Sequence, residues 1–147
     1  MVDLKRQNEL RDAVELLYYG YRAFTDRADR ILERRGLGRV HHRILYFIGR
    51  RPDISVRGLL ETLSVSKQAL NAPLRQLLEM NLVAAVASAE DRRVKRLRLT
   101  TEGQRLEAEL TGAQVRRLEA AFDAAGPAGE EGWRRVMADL AGLDAKG

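Results

Sequence analysis

Lys67, Gln68, Asn71 and Arg75 fall in the stretch VSKQALNAPLRQLLEMNLV (residues 65–83), at spacings that gather them on one side of an α-helix. Their chemistry is that of base-edge readers. Amide side chains match the hydrogen-bonding edge of adenine in a DNA major groove, and Lys or Arg match that of guanine. Ser66, just before them, is placed to cap the helix, whose free N-terminal amides would then face a phosphate. A second set follows in EDRRVKRLRLTTEG: Arg92 and Arg93 at a loop tip suit a narrow minor groove, whereas Lys95, Arg96 and Arg98 suit phosphates, which set register without reading sequence. A solvated helix face can have the same composition. What favours nucleotides is the basic segment directly downstream.

The elements that would position these side chains are legible from apolar periodicity. Leu10, Val14, Leu17, Tyr21, Phe24, Ala28 and Ile31 alternate steps of four and three, which predicts one long helix ended by GLGR at 36–39. RVHHRILYFIGRRP predicts a second helix burying Val40, Ile44, Leu45, Phe47 and Ile48, stopped by Pro52. Ser55 caps a third, with Leu59, Leu60 and Leu63 inward. After a short turn at Ser64, Val65 and Ser66, the fourth helix buries Leu70, Leu74, Leu77 and Leu78 and turns Lys67, Gln68, Asn71 and Arg75 outward. Pro73 interrupts this pattern. An interior proline loses a backbone hydrogen bond and clashes with the preceding turn, so a kink is expected there, changing how Lys67 to Asn71 would enter a groove. LVAAVAS and VKRLRLT, separated by the turn-like AEDRR, read as a β-hairpin with a basic tip. Thr100 caps a fifth helix running to about Ala125 with Leu106, Leu110, Leu118 and Phe122 inward, AGPAG breaks it, and Trp133, Val136, Met137, Leu140 and Leu143 continue at helical spacing. The fold class is mainly α with a small β-hairpin: a winged helix-turn-helix with flanking helices.

Charge supports the same division. The 147 residues carry a net charge of +5, but residues 1–38 hold +1, residues 39–98 hold +7 and residues 99–147 hold −3. The middle segment thus exceeds the whole net charge, as a polyanion-binding segment would. There are no cysteines, which removes thiolate catalysis, disulfides and cysteine-based zinc sites. The opening residues are too polar for a signal peptide and no apolar run approaches bilayer length, so the expectation is a cytoplasmic protein with no membrane partner. His41 and His42 diverge by about 100° around a helix and no third histidine exists, so neither a metal nor a cofactor is implied. No phosphate-binding glycine loop or His-Glu-x-x-His stretch suggests an enzyme.

SVRGLLETLSVSKQALNAPLRQLLEMNLV followed by EDRRVKRLRLTTEG resembles the multiple-antibiotic-resistance regulator (MarR) family of transcription factors, above all at Asp91, Arg92, Arg93, Leu97, Leu99, Thr100 and Gly103. The order of elements matches along the whole chain, although Leu60 stands where such motifs usually have a small residue, and Ala69, Leu70 and Asn71 where threonine, valine and serine are frequent. The resemblance implies a single domain, 1–147, with a winged helix-turn-helix at 40–100 and dimerisation helices at 1–38 and 101–147. It also implies that Arg93 enters the minor groove, with Asp91 pairing to it and holding its fork. The implied activity is that of a homodimeric repressor on double-stranded DNA at a pseudo-palindromic operator. Leu10, Val14, Leu17, Trp133, Met137, Leu140 and Leu143 are the candidate dimer surface, although Trp133 could instead cap an internal core. Members commonly respond to small aromatic or phenolic anions between the dimerisation helices and the winged part, where Tyr18, Arg22 and His42 are candidates. The alternative is a winged helix used for sequence-independent DNA binding or for protein contact.

Overall fold

The computed structural model describes residues 3–143. Its elements run α1 (Leu4–Arg34), α2 (Arg39–Arg50), β1 (Ile54–Ser55), α3 (Val56–Leu63), α4 (Lys67–Glu79), β2 (Val83–Ala87), β3 (Lys95–Leu99), α5 (Thr101–Ala125) and α6 (Pro127–Leu140). Side-chain caps set several boundaries. Asp3, Ser55, Ser66 and Thr100 each accept a hydrogen bond from the backbone amide three residues on, satisfying an otherwise orphaned donor. The α1 helix therefore starts at Leu4, directly after its Asp3 cap and well before the first residue of its apolar stripe, because helix initiation follows the cap and not the stripe.

Helices α2, α3 and α4 close over one core. Ile44, Leu45, Ile48, Leu59, Leu70 and Leu77 are fully buried, and Leu97 from β3 and Leu110 from α5 join them. Val40 and Phe47, expected inside, lie only partly buried against this cluster. Burying a leucine or isoleucine side chain contributes about 1.5–3 kcal/mol, so this cluster is the main apolar stabilisation of the winged part.

The sheet has one strand more than the hairpin read from sequence. The two-residue β1 pairs antiparallel with β3, Ile54 opposite Leu97, giving the order β1-β3-β2. Two residues carry too little pattern to stand out in a sequence. Their pairing is nonetheless what fastens the start of α3 to the hairpin. The β2–β3 register runs from Val83–Leu99 to Ala87–Lys95.

At the far end of the hairpin the chain passes directly into α5, and one glycine permits this. A Cβ at Gly103 would sit 1.9 Å from the carbonyl oxygen of Leu82. That same oxygen accepts the Thr100 N–H at 3.1 Å, while the Thr100 hydroxyl donates to the Asn81 carbonyl at 2.7 Å. The start of α5 thus lies directly against the start of β2.

Candidate nucleic-acid interface

The α4 helix continues through Pro73 as one element, so the proline does not end it. Pro73 cannot donate to the Ala69 carbonyl, one lost bond in a helix that Leu70, Leu74 and Leu77 anchor in the core. Tertiary packing outweighs the local penalty. Lys67, Gln68, Asn71 and Arg75 are all exposed, and at 100° per residue they share an arc of roughly 100° that begins beside the core face at Lys67 and turns away from it toward Gln68. Ser66 Oγ accepts from the Ala69 amide at 3.1 Å, which leaves earlier amides of the first turn open to a ligand.

The tip of the wing is built around Asp91. Its Oδ1 accepts from the Arg93 amide at 3.0 Å and from Arg93 Nε at 3.3 Å, within a loop closed by the Ser88 amide donating to the Val94 carbonyl at 2.8 Å. Arg93 projects with 92% of its side chain exposed. One edge of its guanidinium is held by the carboxylate, and the other nitrogens remain free to donate.

The three basic residues of β3 do not act as one group. Strand alternation puts Lys95 on the face of Leu97 and Leu99, and Arg96 and Arg98 on the opposite face. Arg98, expected at a phosphate, is engaged by the Asp53 carboxylate through its Nε, and this pairing holds the Asp53 carboxyl below its usual range. Asp53 has φ +70°, and its carbonyl also accepts from Arg96 at 3.5 Å. It therefore fastens the outer face of the wing to the segment before β1. No periodicity links Asp53 to Arg98, since the partners are 45 residues apart. Among the described residues Lys67, Arg75, Arg92 and Lys95 have no carboxylate partner and keep their full charge outward.

A cavity of about 380 Å³ lies where α1, α2 and α5 meet, walled by Tyr21, Phe24, Tyr46 and Phe47, with Val115 and Leu118 from α5. Of the three effector residues predicted from sequence, only His42 lines it. Tyr18 lies nearly a full helical turn before Tyr21, outside the packed junction, where it stacks edge-on against Tyr19 at 5.5 Å. Arg22 is exposed and also absent from the lining. The cationic residues here are Arg39 and Arg43, from α2. Arg39 is consumed internally: it binds Asp29 through two nitrogens at 3.1 and 2.8 Å, donates to Thr25 at 3.2 Å and lies 5.4 Å over the Tyr21 ring. His42 Nε2 is 3.1 Å from Thr111 Oγ1, and burial lowers its pKa from the ordinary 6.5.

An exposed amide-and-cation arc on the second helix of a helix-turn-helix, flanked by a basic hairpin, defines a winged helix-turn-helix protein of the transcription-regulator class. The chain belongs to the MarR family, whose sequence profile matches residues 35–94. It is 43% identical over 129 residues to the HTH-type transcriptional regulator PetP of Rhodobacter capsulatus, covering 88% of this chain and 78% of that protein. In fold it is similar to Streptococcus pneumoniae FabT in complex with DNA (TM-score 0.73, 19% identity, 94% of each chain). It is likewise similar to Staphylococcus aureus MarR in complex with salicylate and kanamycin (TM-score 0.70, 22% identity, 93% of this chain and 91% of that one).

Proposed function

We propose that this transcriptional regulator is a cytoplasmic, homodimeric repressor that binds a pseudo-palindromic operator in double-stranded DNA. Each protomer lays α4 in a major groove, with Lys67, Gln68, Asn71 and Arg75 toward base edges and Ser66 at the backbone. The wing tip follows the adjacent minor groove with Arg93 inserted, Asp91 orienting it, and Arg92, Lys95 and Arg96 toward phosphates. The observation that carries this reading is the coincidence of an outward-facing readout arc on α4 with unpaired cations at the wing tip. The DNA complex of the FabT relative supports it.

Dimerisation is supported by apolar side chains left in solvent: Val14 is 68% exposed and Leu140 65%, and Leu10, Leu17, Trp133 and Leu143 are exposed as well. Two-fold pairing of such faces would space the two α4 helices about one DNA turn, ~34 Å, apart. The cavity beside His42, with aromatic walls and Arg43 free of any carboxylate partner among the described residues, suits a small aromatic or phenolic anion as effector. The salicylate complex of the S. aureus relative supports that chemistry.

The test is selection of duplexes from a random pool, followed by competition against unselected DNA across a salt series. A repressor keeps a ~10³-fold or larger preference for its selected sequence. Sequence-independent coating, the alternative reading, would show a steep salt dependence and no such preference.

A further inference from the structure

His41 and His42 stand side by side in α2, are both buried, and reach to different helices. His41 Nδ1 accepts the Gly38 N–H at 2.9 Å, inside the corner between α1 and α2. A backbone N–H can only donate, so the ring proton of the neutral imidazole resides on Nε2. Nε2 is 2.9 Å from Gln76 Oε1, and Gln76 Nε2 in turn donates to the Gly36 carbonyl at 3.3 Å. With this tautomer the three hydrogen bonds from Gly38 through His41 and Gln76 to Gly36 each pair a donor with an acceptor. Gln76 belongs to α4 but lies roughly 100° around the helix from Arg75, on a flank away from the readout arc. The next residue, His42, points to the cavity and bonds Thr111 of α5.

We propose that His41 and Gln76 are positioning residues that set the angle of α4 against the α1–α2 corner, and that His42 connects this strut to the cavity wall. The proposal rests on α4 being the reading helix, as argued above. Core leucines bury one face of α4 by apolar contact, which carries no directional preference of its own. Two directional hydrogen bonds to one corner add a fixed angular reference to that packing. A shift of α2 caused by a ligand beside His42 would move His41 with it, since the two share one turn of backbone.

The test uses duplexes selected by the wild-type protein, and reads the ratio of selected-duplex to random-duplex affinity. His41→Asn keeps an acceptor near the Nδ1 position for Gly38 but is too short for Gln76. Gln76→Met keeps side-chain length without hydrogen bonding. Each should lower the ratio roughly three- to tenfold, the range of one or two net hydrogen bonds, and the double variant should be no worse than either single. Random-duplex affinity and its salt slope should stay unchanged, because the phosphate-facing cations are intact. Thr111→Val should lower the ratio in the same direction by a smaller factor. An unchanged ratio in both single variants, or equal losses on selected and random DNA, overturns the strut. An unchanged ratio in Thr111→Val alone removes the cavity from it. Urea midpoints identify a variant that fails to fold, and if His41→Asn does so, Gln76→Met, altered at a half-buried flank position, carries the test. If the wild type enriches no duplex at all, it is the proposed function that falls.

Discussion

The winged part and the flanking helices use the same amphipathic code with opposite results. In α2, α3 and α4 the apolar residues at helical spacing enter one core or pack against it, with Ile44, Leu45 and Leu59 wholly inaccessible. In α1 the stripe continues in register for its whole length, but the buried residues are confined to Thr25, Ala28 and Leu32, and α6 buries none. The pattern in α1 does not change between its two halves; the supply of neighbours does. The C-terminal half finds α2 and α5, whereas Leu10, Val14 and Leu17 extend past them. An amphipathic stripe specifies that a face needs covering without specifying what covers it.

The largest effect should come from breaking the uncovered face. In the proposed dimer Leu17→Glu would place a charge on both sides of the two-fold interface, and losing at least ~4 kcal/mol of association would leave a monomer at micromolar concentration. Light scattering reads the outcome, and monomeric wild-type protein would remove the dimer reading outright. Urea unfolding of the monomeric variant should retain the core transition of the winged part, which sharpens the contrast between the two regions.

The complementary break lies inside the covered region. Gly103→Ala must separate α5 from the Leu82 carbonyl, and overpacking of this kind against backbone should destabilise by about 3 kcal/mol. The urea midpoint should fall accordingly. An unchanged midpoint would mean that the β2–α5 contact is looser than 1.9 Å implies. Arg93→Ala should leave stability untouched and weaken selected-duplex binding by about 1–3 kcal/mol, whereas Asp91→Asn should weaken it less, by loosening Arg93 without removing it. Normal binding by Arg93→Ala would take the wing out of the interface.

The smallest effect is a pH dependence at the seam between the two regions. Burial holds the folded-state pKa of His42 below 6.5, so the unfolded chain binds the proton more readily. The stability His42 contributes is full above about pH 6.5 and is lost as pH falls through its lowered folded value. Glu107 on α5 runs the other way. Burial raises its pKa above 4.5, so its contribution is present below that value and lost as pH rises through the raised one. Thermal midpoints should therefore flatten on the low-pH side in His42→Gln and rise at neutral pH in Glu107→Gln.

Much of this molecule was legible in its sequence. Caps at Ser55, Ser66 and Thr100, leucines at helical spacing and the alternation around Leu97 are local signals, and local signals decide where helices and strands form. The exposed arc of Lys67, Asn71 and Arg75 on α4 was legible for the same reason, since residues four apart must share a helix face. Pro73 shows the limit of local reasoning: the backbone penalty it counts leaves out the core contacts of Leu70, Leu74 and Leu77, and α4 remains one continuous helix through the proline. Local reasoning also could not rank tyrosines along α1, because Tyr18 and Tyr21 have the same chemistry and similar faces. Only the position at which α2 and α5 cross α1 decides which of them lines a cavity.

What the sequence by itself determined was the order of elements, their caps, the segregation of charge and the identity of the outward side chains on α4. Tertiary structure alone decided the two-residue β1, the capture of Arg98 by Asp53, the lining of the cavity and the His41–Gln76 link. The physical reason is range. Periodicity and capping are set by residues within one or two helical turns, whereas these contacts join residues 35 and 45 positions apart, and nothing in the spacing of a linear chain encodes which distant groups will meet.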